Sequence, residues 1–171
     1  MPYVDPQTVN NPTAGQPIPA AWGDVVRQDL EYLIDPPACS VYASAAQVVA
    51  DGISTVALTA NSERFDNDSM HSTATNTSRI TATTAGRYLF IATVQFAANA
   101  TGNRRMAFRV NGTTTYESTL VGATATNSIV TTAPAMFTLA ATDYVECMVW
   151  QTSGGNLNVT LLEFGATFLT R

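Results

Sequence analysis

The side chains that could do chemistry are few, and they are scattered. His71 is the single histidine, and it follows Asp66, Asp68 and Met70 in a polar stretch. An imidazole beside carboxylates is the usual material of a general base or a metal ligand. Nothing else reactive lies nearby in sequence, so the preferred reading is an exposed loop histidine. Asp66-Asn67-Asp68-Ser69 spaces oxygen ligands as hard cations accept them, but an EF-hand loop would also need Gly at its sixth position and Glu at its twelfth. Those positions hold His71 and Thr77. Glu117, Glu146 and Glu163 fall in strand-like segments. A solvated strand face or a polar contact at an oligomer axis accounts for them better than a glycosidase pair does. Arg104-Arg105 with Arg109 is the one basic cluster, preferred as an exposed hairpin face over a phosphate contact. No G-x-S-x-G, P-loop, G-x-G-x-x-G or H-E-x-x-H occurs. The expectation is a protein that is not an enzyme and holds no cofactor or metal.

Composition points the same way. The chain has 171 residues and a net charge of −5, with no lysine at all. Phosphate recognition needs clustered Lys and Arg, so nucleic acid is not expected as a partner. Only 12% of residues are charged, and Ser and Thr take over the polar positions. The N-terminus, Met1-Pro2-Tyr3-Val4-Asp5-Pro6, has neither the basic region nor the apolar segment of a signal peptide. The longest apolar runs, such as Leu89-Phe90-Ile91-Ala92, are too short to span a bilayer. The expectation is synthesis in a reducing cytoplasm, with no membrane partner and with Cys39 and Cys147 as buried free thiols. The N-x-S/T sequons at Asn67, Asn76, Asn99, Asn111 and Asn158 carry little weight without a secretory route.

The elements that would position these residues change character at Asp35-Pro36-Pro37. Residues 1–37 predict an extended arm and a short helix, and residues 38–171 a compact β-domain. The arm carries Pro2, Pro6, Pro12, Pro17 and Pro19 around Asn10-Asn11 and Gly15. Such chain is PPII-like and cannot bury enough apolar surface to order itself, so a partner surface is expected to hold it. Residues 20–34 read as one helix, opened by Pro19 and stopped by Pro36 and Pro37. Trp22, Val26, Leu30, Leu33 and Ile34 form one apolar stripe along it. A helix of this length is marginal alone, so the stripe needs something to pack on.

From Ala38 the pattern alternates with period two. Short strands are predicted at 38–44, 47–49, 55–60 and 79–83, with 61–78 a polar loop holding Phe65. Arg87–Ala97 is the strongest strand, with Tyr88, Phe90, Ala92, Val94 and Phe96 on one face. Strands follow at 105–110 and 113–121, joined by the Asn111-Gly112 hairpin signal, then at 128–139, 144–152, 157–162 and 165–170. Eight to ten short strands with regular turns predict a sandwich or jelly roll. On 144–152, Val145, Cys147 and Val149 share one face. Tyr144, Met148 and Trp150 make the other too apolar for water, which suggests either a subunit interface or a strand buried on both sides.

Several of these segments resemble a known family. Thr84-Ala85-Gly86-Arg87-Tyr88-Leu89-Phe90 is similar to the "PGxYxF" segment of the C1q/TNF-like jelly rolls. Ala38-Cys39-Ser40-Val41-Tyr42-Ala43 resembles their opening strand, Phe65-Asp66 their "FD", and Val110-Asn111-Gly112 their "xNG" hairpin. Phe137-Thr138-Leu139 through Asp143-Tyr144-Val145 is similar to "xxLxxGDxV", with Thr142 where Gly is usual. Phe164–Leu169 resembles the terminal "FxGxLL" strand, shifted. Over 38–171 the resemblance implies an all-β, ten-stranded jelly-roll sandwich that assembles as a homotrimer. A second resemblance covers the arm. Ala21-Trp22-Gly23-Asp24-Val25-Val26-Arg27-Gln28-Asp29-Leu30-Glu31-Tyr32-Leu33 is similar to the "AxWGNxVRDxLxxL" segment of virion proteins from tailed bacteriophages of actinobacteria.

Together these imply a virion structural protein on the capsid surface, made in the host cytoplasm. It is expected to be a trimeric capsid decoration protein bound to the major capsid protein. Attachment would lie with Tyr3, Val4, Ile18, Trp22, Val26, Leu30, Leu33 and Ile34, and Tyr144, Met148 and Trp150 would be candidates for the trimer interface. The alternative is a receptor- or glycan-binding head of a tail or head fibre, reading the host through loops 61–78, 98–104 and 122–127. Phe65 is nearly the only aromatic in those loops, which weakens sugar stacking there.

Overall fold

The computed structural model describes residues 14, 15, 17–123 and 129–170, with the backbone alone for Ile53, Glu117, Ser118 and residues 129–133. The chain divides into two units, residues 1–37 and 38–171.

In the first unit, α1 spans Ala20–Ile34, the bounds that the prolines predict. Pro19 caps it in extended geometry (φ −62°, ψ 140°). Its carbonyl accepts from the amides of Trp22 and Gly23 at 3.0 and 3.4 Å. At the other end the Asp35 amide donates to the Glu31 carbonyl at 2.8 Å, and the two prolines that follow cannot continue the ladder. Arg27 pairs with Glu31 one turn on, at 2.6 Å and in the open. Such a pair adds only about 0.3–0.5 kcal/mol.

The second unit is a two-layered antiparallel sandwich of eleven described strands: β1 Ala38–Tyr42, β2 Gln47–Val49, β3 Gly52–Ala57, β4 Ser62–Asp66, β5 Arg79–Thr81, β6 Gly86–Phe96, β7 Asn103–Val110, β8 Thr114–Gly122, β9 Ile129–Leu139, β10 Tyr144–Gln151 and β11 Leu157–Thr170. One sheet has the order β4-β1-β11-β6-β9, with β2 also on β11. The other has the order β3-β10-β7-β8, with β5 also on β10. β9 is an edge strand, which is why Pro134 is tolerated inside it.

Period-two alternation puts the core where the sequence predicts. Tyr88, Phe90, Ala92, Val94 and Phe96 of β6 are all fully buried. Phe90 is the hub: its ring centroid lies 6.2 Å from Phe108, 5.7 Å from Phe137 and 6.1 Å from Phe164. Those three rings come from β7, β9 and β11, so one residue ties both sheets together. The Tyr88 hydroxyl donates to the Thr84 carbonyl at 2.7 Å, which satisfies its one polar atom inside the core.

Two expectations are corrected. Residues 61–78 are not loop throughout, because Ser62–Asp66 forms β4 against β1. It is an edge strand whose side chains are mostly exposed, so no apolar alternation marks it. The closing segment is not two strands but one, running unbroken from Leu157 to Thr170. Gly165, the first residue of the second predicted strand, sits mid-strand opposite both Ile91 and Ser40. A Cβ there would lie 3.0 Å from the Cys39 carbonyl, so glycine permits close approach rather than a turn.

Candidate functional site

Most of the residues singled out for chemistry are spent on structure. The His71 side chain is 1% exposed, not an exposed loop histidine. Nδ1 lies 2.9 Å from Glu63 Oε1 and Nε2 lies 3.2 Å from the Thr77 carbonyl, so neither ring nitrogen is left for a metal or a substrate. Sequence spacing misses this because Glu63 sits on β4, itself unmarked. The Asp66 carboxylate accepts from the backbone amides of Asp68, Met70 and His71 at 3.2, 3.0 and 2.8 Å. Asn67 Oδ1 accepts from the Ala38 amide at 2.7 Å, and Asp68 accepts from the Thr83 hydroxyl. The oxygens that resemble a cation site are thus the internal ties of the loop. Among the described residues no three His, Cys, Asp or Glu side chains gather as ligands.

The basic cluster divides. Arg104 is fully buried instead of lying on an exposed hairpin face. Its guanidinium donates to the carbonyls of Thr101, Asn103 and Asn99 at 2.9, 3.0 and 3.1 Å and lies 6.0 Å from the centroid of Phe96. Desolvation lowers its pKa from the ordinary value, with Asp51 partly opposing the shift. Arg104 therefore fastens the 99–103 loop. Arg109 donates twice to Glu146 Oε2, at 3.0 and 2.8 Å. Glu146 is buried and also accepts from the Ser78 hydroxyl at 2.8 Å, so it is neither solvated nor paired with another carboxylate. Glu163, on the other sheet, is held by Arg64. Cys39 and Cys147 are free and buried, and burial pushes both thiols up to about 12.

What remains available is apolar surface. On α1, Val25 is the buried side chain, while Trp22 and Val26 are half-buried. Leu30, Leu33 and Ile34 are exposed, Leu33 and Ile34 by about four-fifths, and Ile18 just before the helix is exposed too. Tyr3 and Val4 lie outside the described residues. On β10, Met148 is buried, and Tyr144 and Trp150 are half-buried.

A broader apolar band crosses the outer face of the six-stranded sheet. Strand register sets Phe65, Ser40, Gly165, Ile91 and Pro134 in one row across β4, β1, β11, β6 and β9. Leu89 and Met136 sit opposite each other in the adjoining row. Phe65, Ile91 and Met136 are 53, 48 and 71% exposed. Above Gly165 the missing side chain leaves a shallow cavity of about 320 Å³ walled by Phe65, Leu89 and Ile91. The sequence did carry a signal for this band. Leu89-Phe90-Ile91 is apolar at both parities, and a strand that is apolar on both faces needs cover on both.

No family model matches the chain, nor does any curated protein sequence. Solved structures do. The globular domain of zebrafish complement 1qA protein matches with a TM-score of 0.56 at 18% identity, covering 79% of this chain and 98% of that one. Murine APRIL matches with a TM-score of 0.55 at 11% identity, covering 77% and 99%. The fold is thus the C1q/TNF-like jelly roll, as the motifs in 38–171 imply.

Proposed function

We propose that this chain is a non-enzymatic structural protein of a bacteriophage particle: a homotrimeric jelly-roll head fixed to the capsid by its N-terminal arm and helix. The observation that carries this reading is the exposed apolar surface on both units among the described residues. Leu30, Leu33 and Ile34 face water on α1, and Phe65, Ile91 and Met136 do so on the head. Surfaces of this kind mark protein–protein contact. In the proposal the sheet band closes the trimer and the helix stripe meets the major capsid protein. The resemblance of Ala21–Leu33 to the anchoring segment of actinobacterial tailed-phage virion proteins supports the particle assignment. Trimerisation would present three arms at once and turn three weak contacts into one tight attachment. The Tyr144, Met148 and Trp150 face is less suited to the trimer contact, because the chain itself already covers Met148.

Two measurements test the reading separately. Light scattering on the purified full-length protein should give a trimer, and Ile91→Glu with Met136→Glu should give a monomer, since a buried unpaired charge costs several kcal/mol. A monomeric wild-type protein would sink the assembly half. Leu33→Glu with Ile34→Glu should leave the trimer intact but abolish its binding to phage capsids stripped of this protein. Full occupancy by that variant would overturn the anchoring half.

A further inference from the structure

A second cavity, of about 450 Å³, opens between the loop after β4, strand β5 and the turn entering β10. Its size is within the roughly 300–1,000 Å³ of small-molecule sites, but its lining is unlike the mostly apolar walls of most of them. The loop supplies Ser69, Thr75 and Asn76, β5 supplies Arg79 and Thr81, and the turn supplies Thr142 and Tyr144. Among the described residues, the side chains of Ser69, Asn76, Thr81 and Thr142 take no hydrogen bond within the chain. Their donors and acceptors are unspent, and they converge on one space.

The Arg79 side chain makes no hydrogen bond among the described residues either, although Glu146 pairs with it as an ion. Glu146 gives Oε2 to two Arg109 donors and Oε1 to the Ser78 hydroxyl, which leaves Arg79 Nε 3.8 Å away, beyond hydrogen-bond range. The Arg79 guanidinium carbon instead lies over the Tyr144 ring, 4.0 Å from its centroid. The ring contact restrains the side chain, and its N–H groups make no hydrogen bond to the described residues. A planar guanidinium fork suits a carboxylate, which it can bind with two parallel bonds. One carboxylate, Glu146, is shared by the guanidinium groups of Arg79 and Arg109.

The backbone around the cavity is unusual as well. Of the four non-glycine residues with positive φ among those described, three line it: Ser69 at 55°, Asn76 at 51° and Thr142 at 78°. Such conformations persist only where surrounding structure imposes them, and they cluster at ligand sites. Here Asp66 imposes the loop, through its three amide bonds.

We infer that this cavity binds a carboxylate-bearing saccharide, with the carboxylate on Arg79 and the ring hydroxyls on the Ser, Thr and Asn side chains. The site lies wholly within residues 38–171, so it serves a head displayed on a capsid or on a fibre, and it does not depend on the arm. The test is ligand-observed NMR with calorimetry on the full-length protein, using sodium glucuronate, methyl glucoside and acetate as probes. Glucuronate should bind saturably in the roughly millimolar range. Methyl glucoside and acetate should each bind about tenfold more weakly or less. Arg79→Gln should weaken glucuronate about tenfold or more. Thr81→Val is isosteric, and if Arg79→Gln does not fold it carries the test alone, with an expected weakening of severalfold. No saturable binding of glucuronate overturns the proposal, as does unchanged affinity in the folded variants. Equal binding of methyl glucoside overturns the assignment of an acidic ligand.

Discussion

Thr142 carries a β-branched side chain at φ 78°, where the Cβ crowds its own carbonyl. Jelly-roll sequences of the C1q/TNF kind usually place glycine there, and the backbone shows why. Thr142→Gly should therefore stabilise the head by about 1 kcal/mol, read as a higher urea midpoint at unchanged slope. Gly102 is the opposite case. It has φ 74°, and a Cβ would fall 1.5 Å from the Thr152 carbonyl oxygen, so Gly102→Ala should cost at least about 3 kcal/mol in the same assay. The thiols give a pH effect of definite sign. Burial raises Cys147, and burial with Asp66 raises Cys39, from 9.0 to about 12. Above pH 9.0 the unfolded chain loses these protons while the native chain keeps them, so alkali favours unfolding. The stabilisation is whole below that pH and lost towards about 12, at about 1.4 kcal/mol per pH unit for each thiol. Cys147→Ala should be less stable at pH 7 yet show a shallower alkaline decline, measured by urea melts across that window. An identical decline would exclude the thiol as its source. At this scale the sequence was least legible. His71 and Arg104 look solvated because the groups that satisfy them, Glu63, the Thr77 carbonyl and the 99–103 carbonyls, are arranged by chain folding and not by spacing.

The loop from 67 to 78 behaves as an element in its own right. One carboxylate, Asp66, gathers three amides at its start, and buried Met70 pins its middle to the core. The Thr81 amide then donates to the Met70 carbonyl at 2.7 Å, which joins the loop to β5. Asp66→Ala should cost about 2–4 kcal/mol, because charge-assisted bonds are lost and buried amides go unpaired. Hydrogen exchange should rise at residues 68–71 well before the β6 amides respond. If exchange rose evenly across the sandwich, the loop would not be an independent unit. Elements with a strong period were legible: β6 and α1 lie where their patterns put them. β4 was not, since an edge strand with polar side chains on both faces carries no period to detect.

For the whole molecule the question is what covers the remaining apolar surface. On α1 the side chains of Leu30, Leu33 and Ile34 are exposed, and on the six-stranded sheet those of Phe65, Ile91 and Met136 are. Burying such area is worth about 25 cal/mol per Å², but association also has a cost in lost freedom. The proposed trimer should therefore depend on protein concentration, dissociating on dilution to a folded monomer whose core around Phe90 is unchanged. Sedimentation across a dilution series, with near-ultraviolet circular dichroism on each sample, checks both statements. A protein that lost its fold together with its oligomer would make the head an obligate assembly.

The sequence by itself determined the division at Pro36-Pro37, the helix, the all-β class and the inward face of β6. Each of these follows from local rules: proline cannot donate, and side chains alternate along a strand. The tertiary structure alone decided which polar groups are free. It committed His71, Asp66, Arg104 and Glu146 to internal bonds and left Arg79 over the Tyr144 ring, 3.8 Å from Glu146 and without a hydrogen bond among the described residues. It also aligned Phe65, Ile91 and Met136 from three separate strands into one band. The physical reason is the same in both cases. Hydrogen-bond satisfaction and surface continuity depend on residues far apart in the chain, and only sheet register brings them together.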